Sequence, residues 1–252
     1  MMHNGLVLLA DRYCGSWMTD LIRLCHGHHE PQEERVFYEV TGRLPENATM
    51  IELGAWWAYY SLWFLQGKPQ RRCIAVEPDA MNLEVGRANA RLNGLAPVFV
   101  QAYVGEASPL VAAPGPAAVP HVTVEEIMEE HGIDSLDLLH CDAQGAEVEV
   151  LRQCAPLIRA GRVRTLFLST HHHLISHDPL THQRCLSLVQ SMGGNVLAEH
   201  DVQESFSGDG FIAGRFGDAA AEWPKVPLTY NRASTSLFRH PLYDLEAALR
   251  RR

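Results

Sequence analysis

Met50-Ile51-Glu52-Leu53-Gly54-Ala55-Trp56-Trp57-Ala58-Tyr59-Tyr60-Ser61 decides how this chain folds. The stretch opens as a short apolar strand with an acid near its end. It turns at a glycine and continues into an amphipathic run over 60–65 that reads as a helix. Strand, tight turn and helix N-terminus together make a nucleotide-binding corner. Gly54 has no Cβ, so the backbone can approach a ligand closely there. Downstream comes Cys73-Ile74-Ala75-Val76-Glu77-Pro78-Asp79, a second buried strand that again ends in an acid, Glu77, twenty-five residues after Glu52. An acid at that tip is placed to accept hydrogen bonds from both hydroxyls of a ribose.

Working outward, strands are expected over 49–53, 72–76, 98–103, 136–141 and 165–169. Between them lie helices ending near 66, over 80–92, from Thr123 to 131, and over 146–158. Asp79 and Thr123 are expected helix N-caps, with Glu126 three residues after Thr123. A helix over 180–192 and late strands over 195–200, 210–213 and 234–238 complete the pattern. Alternating strands and helices followed by strands predict an α/β fold. The sheet is doubly wound and mostly parallel, with an antiparallel end and helices on both faces. The stretch 106–120 is rich in Pro and Ala and reads as a loop. Upstream, 16–25 has helical periodicity, and Pro31 opens a helix to about Thr41. Leu6-Val7-Leu8-Leu9 reads equally as strand or helix. Residues 1–45 are therefore an N-terminal helical extension or lid, and 46–252 the main domain with a C-terminal β addition.

The bulk properties narrow the partners. A chain of 252 residues with 46% hydrophobic content suits one α/β domain with additions and a large core. A net charge of −9 argues against a nucleic-acid partner, which needs a basic face. The six cysteines form no C-x-x-C pair, and Cys73 and Cys141 lie inside apolar strands, as buried thiols do in a reducing cytoplasm. No signal peptide is recognised at the N-terminus. The longest apolar run, 53–65, is too short to span a bilayer.

An acid followed two residues later by glycine has the shape of the first motif in Rossmann-like methyltransferases. NAD enzymes carry G-x-G-x-x-G, and Gly54-Ala55-Trp56-Trp57-Ala58 lacks two of those glycines. S-adenosylmethionine has no phosphate, so one close glycine suffices, and an acid can serve its cationic amino-acid part. A nucleotide-dependent oxidoreductase on the same fold is the alternative. His171-His172-His173 follow the fifth strand directly, at the ligand-binding edge of such a sheet. Methyl transfer to a hydroxyl removes a proton from the acceptor, which a histidine can take. In an extended segment His171 and His173 share a side. With Asp142 nearby, a divalent metal held by mixed N/O ligands is a further alternative, although no metal site is predicted. His28, His29 and Glu30 sit at a turn, read either as a lid or substrate edge or as a solvated turn.

Three blocks in order resemble the FkbM family of S-adenosylmethionine-dependent methyltransferases. They are Glu52-Leu53-Gly54-Ala55 with Tyr59-Tyr60-Ser61-Leu62-Trp63-Phe64, then Val76-Glu77-Pro78-Asp79 with Asn82, Asn89 and Asn93-Gly94, then 137–151, which contains Asp142-Ala143-Gln144-Gly145-Ala146-Glu147. The resemblance spans roughly 45–175. It implies a Rossmann-like class I methyltransferase fold, S-adenosylmethionine as cofactor, and O-methylation of a sugar or secondary metabolite in natural-product biosynthesis. It implies that Glu52, Gly54 and Ala55 line the methionine end of the cofactor. Tyr60 and Ser61 follow on the next helix, Glu77 and Pro78 hold the ribose, and Asp142 sits beside the transferring methyl. The catalytic candidates are then His171, His172 and Asp142, and the substrate contacts His29, His173 and Trp56. The expected partner is a small-molecule acceptor, with no nucleic acid and no membrane, and a homodimer is the candidate assembly. The chain departs from the family pattern at Trp56, Ala58, His140, Gln144 and Ser169-Thr170. Those departures leave a third reading, a non-catalytic metal-binding or interaction protein.

Overall fold

The computed structural model describes residues 1–105, 119–218 and 220–231. Two helices lead, α1 (Ser16–Leu24) and α2 (Pro31–Thr41). Then come β1 (Thr49–Leu53), α3 (Tyr59–Leu65), β2 (Arg72–Val76), α4 (Ala80–Asn93) and β3 (Val98–Val100). A short pair follows, β4 (Tyr103–Val104) and β5 (His121–Val122), then α5 (Val124–Glu130) and β6 (Leu138–Cys141). The rest is α6 (Glu147–Arg159), β7 (Thr165–Thr170), α7 (His173–Ser176), α8 (Thr181–Ser191), β8 (Asn195–His200) and β9 (Gly210–Arg215).

Seven strands form one sheet in the order β3-β2-β1-β6-β7-β9-β8. The pairs from β3 to β7 are parallel, and β9 runs antiparallel to both β7 and β8. This is the doubly wound, mostly parallel sheet with an antiparallel end that the strand pattern predicted. The strand order reverses between β1 and β6, where Glu52 pairs with His140 and Leu53 with Cys141. A crevice opens beyond the carboxyl ends of strands at such a reversal.

Both sheet faces are covered, so the central strands are apolar on both sides. Met50, Phe167 and Phe211 pack with Phe37 of α2, with Tyr60 and Leu62 of α3, and with Ala90 of α4. Ile51, Leu139 and Ile212 pack on the opposite face with Ile127 of α5, Leu151 of α6 and Val189 of α8. Because side chains alternate along a strand, Glu52 shares the face of Met50 and points toward α2 and α3. The caps form as their residue types require. Asp79 accepts the Met81 and Asn82 N–H groups, and Gly94 ends α4 in a left-handed conformation. Thr123 and Glu126 make a reciprocal capping box on α5.

Several expectations are corrected. The strand expected over 98–103 stops at Val100, whose carbonyl accepts the Glu77 N–H. Ala102 turns into the core, and Tyr103–Val104 leaves the sheet to pair with β5. Residues 6–9 form no regular element. They belong to a strap over α4, in which the Val7 and Leu9 N–H groups bond to Asn93 and Asn89. The expected strand over 234–238 and most of the 106–120 loop lie outside the described residues. Cys73, Cys141, Cys154 and Cys185 are buried free thiols, whereas Cys14 and Cys25 are exposed. Among the described residues no helix is long and apolar enough to cross a membrane.

Candidate active site

The turn after β1 is built around backbone proximity. Gly54 has φ +76, and a Cβ there would collide with the Asp142 carbonyl oxygen. The Asp142 N–H in turn bonds the Leu53 carbonyl at 2.8 Å, so the tips of β1 and β6 are locked together. The Gly54 and Ala55 N–H groups both bond the Val76 carbonyl at 2.9 Å, tying β2 into the same corner. Trp56 (φ +40) and Ala58 (φ +62) carry the turn in left-handed conformations that L-residues seldom adopt.

Glu77 sits at the tip of β2, 5% exposed. Its carboxylate accepts the Trp56 N–H at 3.0 Å, the Asp79 N–H at 3.0 Å and the Asn82 amide at 3.2 Å. Burial raises its pKa, and those bonds pull it back only in part. On the same turn, the indole Nε1 of Trp56, whose ring meets Tyr13, is a buried donor with no hydrogen-bond partner among the described residues. A buried donor left without a partner is one that a polar ligand could satisfy.

Across the reversal point lies an ionic cluster. His171, 4% exposed, follows β7 directly. Its Nδ1 is 2.6 Å from Glu147 Oε1, and its backbone N–H bonds the same oxygen. Its Nε2 faces Asp142 Oδ1 at 3.1 Å and Asp209 Oδ1 at 3.9 Å. Burial alone would make the imidazole neutral. The bonds to Asp142 and Glu147 and the charge of Asp209 hold its pKa well above the ordinary value. Burial would raise Asp142, but the His171 hydrogen bond and charge win and lower it. Asp209 lacks such a bond, and burial pushes it up to about 7. Three acids, Asp142, Glu147 and Asp209, thus surround one imidazole, an excess that suits a positively charged ligand.

A wall of residues from the N-terminal extension closes this side. Tyr13 stacks on Trp57 at 4.3 Å and 14°, and meets Trp56 and His29 edge-on at 4.9 and 4.7 Å. Burial, then the charges of Glu30 and Asp142, push the Tyr13 hydroxyl well above its usual pKa. The first turn of α2 presents acids inward. Glu30 accepts the Tyr60 hydroxyl at 3.0 Å and Glu34 that of Tyr59 at 2.9 Å. Glu33 bridges His140 at 2.7 Å and the Ser169 hydroxyl at 3.1 Å. Tyr13, His29 and Glu30 thus line one side of the cleft.

The structure brings Glu77, Gly54, Ala55, Trp56, Asp142, His171 and His29 to this one edge, with Pro78 at the rim. It pairs Glu52 with Ser61, whose N–H donates at 2.8 Å and whose hydroxyl donates to the same oxygen. Ser61 is fully buried, and the Tyr60 hydroxyl is engaged by Glu30. These three brace the turn from beneath. His171 and His173 do not share one side of an extended segment, because His172 caps α7 through its Nδ1 and His173 begins that helix. Behind them opens a pocket of about 100 Å³, lined by His171, His172, His173, Thr181, Asp201 and Gln203 among others.

Sequence reasoning missed Tyr13, Glu33 and Asp209. Asp209 carried a usable signal, an acid between Gly208 and Gly210 immediately before a strand. Glu30, Glu33 and Glu34 are spaced to share one helix face, but acids at a helix start ordinarily face water. Tyr13 carried none.

Residues 42–195 match the methyltransferase FkbM domain. No curated protein matches the chain significantly. Among solved structures, cofactor-bound Rv0187 from MTB is similar at 17% identity and TM-score 0.51, over 73% of this chain and 79% of that one. The METTL16 methyltransferase domain is similar at 14% identity and TM-score 0.50, over 75% of this chain and 69% of that one. At these identities the likeness is one of fold.

Proposed function

The chain belongs to the FkbM methyltransferase family, and from that premise we propose that it transfers a methyl group from S-adenosylmethionine to a hydroxyl oxygen of a small polyhydroxylated molecule. The observation that carries this reading is the Glu147–His171–Asp142 chain at the tips of β6 and β7, buried at Glu147 and His171 and opening to the cleft at Asp142, across the reversal point from Glu77. The cofactor would supply an electrophilic methyl on a sulfonium, whose departure leaves a neutral thioether. Glu77 would take the ribose hydroxyls, and the turn through Gly54, Ala55 and Trp56, tied to β2 by the Val76 carbonyl and to Glu77 by the Trp56 N–H, would form the rest of the cradle. The surplus of acids around His171, Asp142 and Asp209 among them, would favour the cofactor's positive charge.

Asp142 would accept the hydrogen bond of the acceptor hydroxyl and then its proton as the methyl moves. His171 holds that carboxylate in place with one nitrogen and is itself oriented through the other by Glu147. Held as a cation between the two acids, His171 positions Asp142 rather than taking the proton itself. The pocket behind His171–His173 offers imidazole, amide and carboxylate groups, which suit a hydroxyl-rich acceptor. His29, Trp56 and Tyr13 would exclude water from the other side, which strengthens the charge interactions within.

The test is to incubate the protein with methyl-labelled S-adenosylmethionine and matched panels of hydroxyl and amine acceptors, and to locate the label by mass spectrometry. Label on oxygen is expected. Label on nitrogen only, or none with any acceptor, would overturn the O-methylation reading.

A further inference from the structure

A second cluster of ligating groups lies outside the proposed catalytic centre, where the N-terminal strap meets the start of α2. His3 Nε2, His28 Nδ1 and Glu34 Oε2 all lie within 4.8 Å of one another. His28 Nδ1 is 2.5 Å from the Glu34 oxygen and His3 Nε2 is 3.3 Å from it. Glu34 is buried, its side chain 1% exposed, while the His3 and His28 side chains are 22% and 39% exposed. An ion can therefore reach the site from solvent while its carboxylate ligand stays fixed.

We propose that His3, His28 and Glu34 form a binding site for a zinc-class divalent transition ion, one that clamps the N-terminal strap to α2. Two imidazoles and one carboxylate, with a fourth position open to water, are a ligand set such ions favour. The supporting shell is already built. The other Glu34 oxygen accepts the Tyr59 hydroxyl and the His29 N–H, both at 2.9 Å, so the carboxylate is oriented with Oε2 turned to the histidines. The Tyr59 hydroxyl also lies 3.2 Å from His3 Nε2.

The backbone holds the two histidines together independently of any ion. The His3 N–H bonds the Gly27 carbonyl at 3.1 Å. Gly27 has φ +88, and a Cβ there would come within 2.5 Å of the His3 nitrogen, so only glycine permits this approach. The imidazoles stack with centroids 3.9 Å and planes 17° apart. Coordination requires one ring to tip so that both lone pairs meet at the ion, and the more exposed His28 has room to do so. The strap then continues along Asn93 and Asn89 of α4 to Tyr13 at the cleft. An ion at His3 would thus fix the start of the segment whose end covers the proposed active site.

The experiment titrates chelator-stripped full-length protein with ZnCl₂ in competition with a chromophoric chelator, and repeats the titration with His3→Ala, His28→Ala and Glu34→Gln. One equivalent of zinc bound with micromolar or tighter affinity is expected, weakened at least tenfold in each variant, with no competition from Mg²⁺. Substitution by Co²⁺ is expected to give a visible absorption band that His3→Ala abolishes. The His3 side chain is partly exposed, so His3→Ala separates loss of a ligand from loss of the fold, which circular dichroism checks. Absence of zinc uptake by the wild-type protein would overturn the proposal. So would uptake that survives His3→Ala and His28→Ala, because the ion would then sit elsewhere.

Discussion

Asp142 is the residue on which the chemistry turns. Its carboxylate is held low by His171 against the opposing effect of burial. Asp142→Asn keeps the shape and removes the proton acceptor. Turnover should fall by about 10²–10⁴-fold, while S-adenosylmethionine affinity changes far less; equal losses in both would make Asp142 a cofactor ligand instead. Gly54 is decisive for a different reason. Gly54→Ala adds a Cβ into the Asp142 carbonyl at φ +76. We expect a loss of more than about 2 kcal/mol in urea unfolding, since the left-handed penalty adds to the collision. An alanine variant of normal stability would contradict the close approach of the β1 and β6 tips.

At this scale the sequence was legible where local pattern and chemistry coincide. Gly54 and Glu77 end apolar runs, and an acid there is costly unless it meets a partner. Glu33 was not legible, because its partners His140 and Ser169 are more than a hundred positions away. Tyr13 was hidden for the same reason, since it is packed against Trp56 and Trp57 only by the path of the strap.

Among the elements, α4 shows how a helix start serves a site. Asp79 caps the helix with its side chain and gives its own N–H to Glu77. Asp79→Ala removes the cap and keeps the N–H. The expected cost is about 1 kcal/mol in denaturant unfolding, with cofactor affinity nearly unchanged. A large loss of affinity at normal stability would mean that the Asp79 carboxylate touches the ligand. The periodicities identified the strands and helices of the sheet, because each central strand is a short apolar run bounded by turn residues. The break at Val100 was not visible, because Val98 to Tyr103 remains suited to a strand until β5 offers a second partner. Helix α7 was hidden too, since three adjacent histidines carry no helical period and its cap is a histidine, His172, rather than one of the usual capping residues.

For the whole molecule, the buried acids set a pH dependence. Glu52 is 3% exposed, and burial pushes its pKa up to about 7 despite the His140 charge and the Ser61 bonds. An acid with a raised folded pKa keeps its proton longer in the native state. Stability is therefore fullest near the ordinary carboxyl value and falls as pH rises toward 7, by about 3 kcal/mol for this group. His171, held above its ordinary pKa, acts in the same direction, because its stabilisation is lost as pH rises through its folded value. The melting temperature should fall steadily from pH 5 to pH 8, and Glu52→Gln, which can still bond Ser61, should flatten that slope. A stability maximum near pH 8, or an unchanged slope in Glu52→Gln, would contradict the buried charge balance.

The central claim is that one corner, built by β1, β2 and the turn through Trp56, holds S-adenosylmethionine through Glu77. Calorimetric titration of the wild-type protein and Glu77→Ala with S-adenosylmethionine and with its demethylated product tests this most directly. The account predicts micromolar binding of both ligands to the wild type and a weakening of about 10- to 100-fold in the variant, the worth of hydrogen bonds to a charged group. Absence of binding to the wild type, or a folded Glu77→Ala variant that binds as tightly, would contradict it.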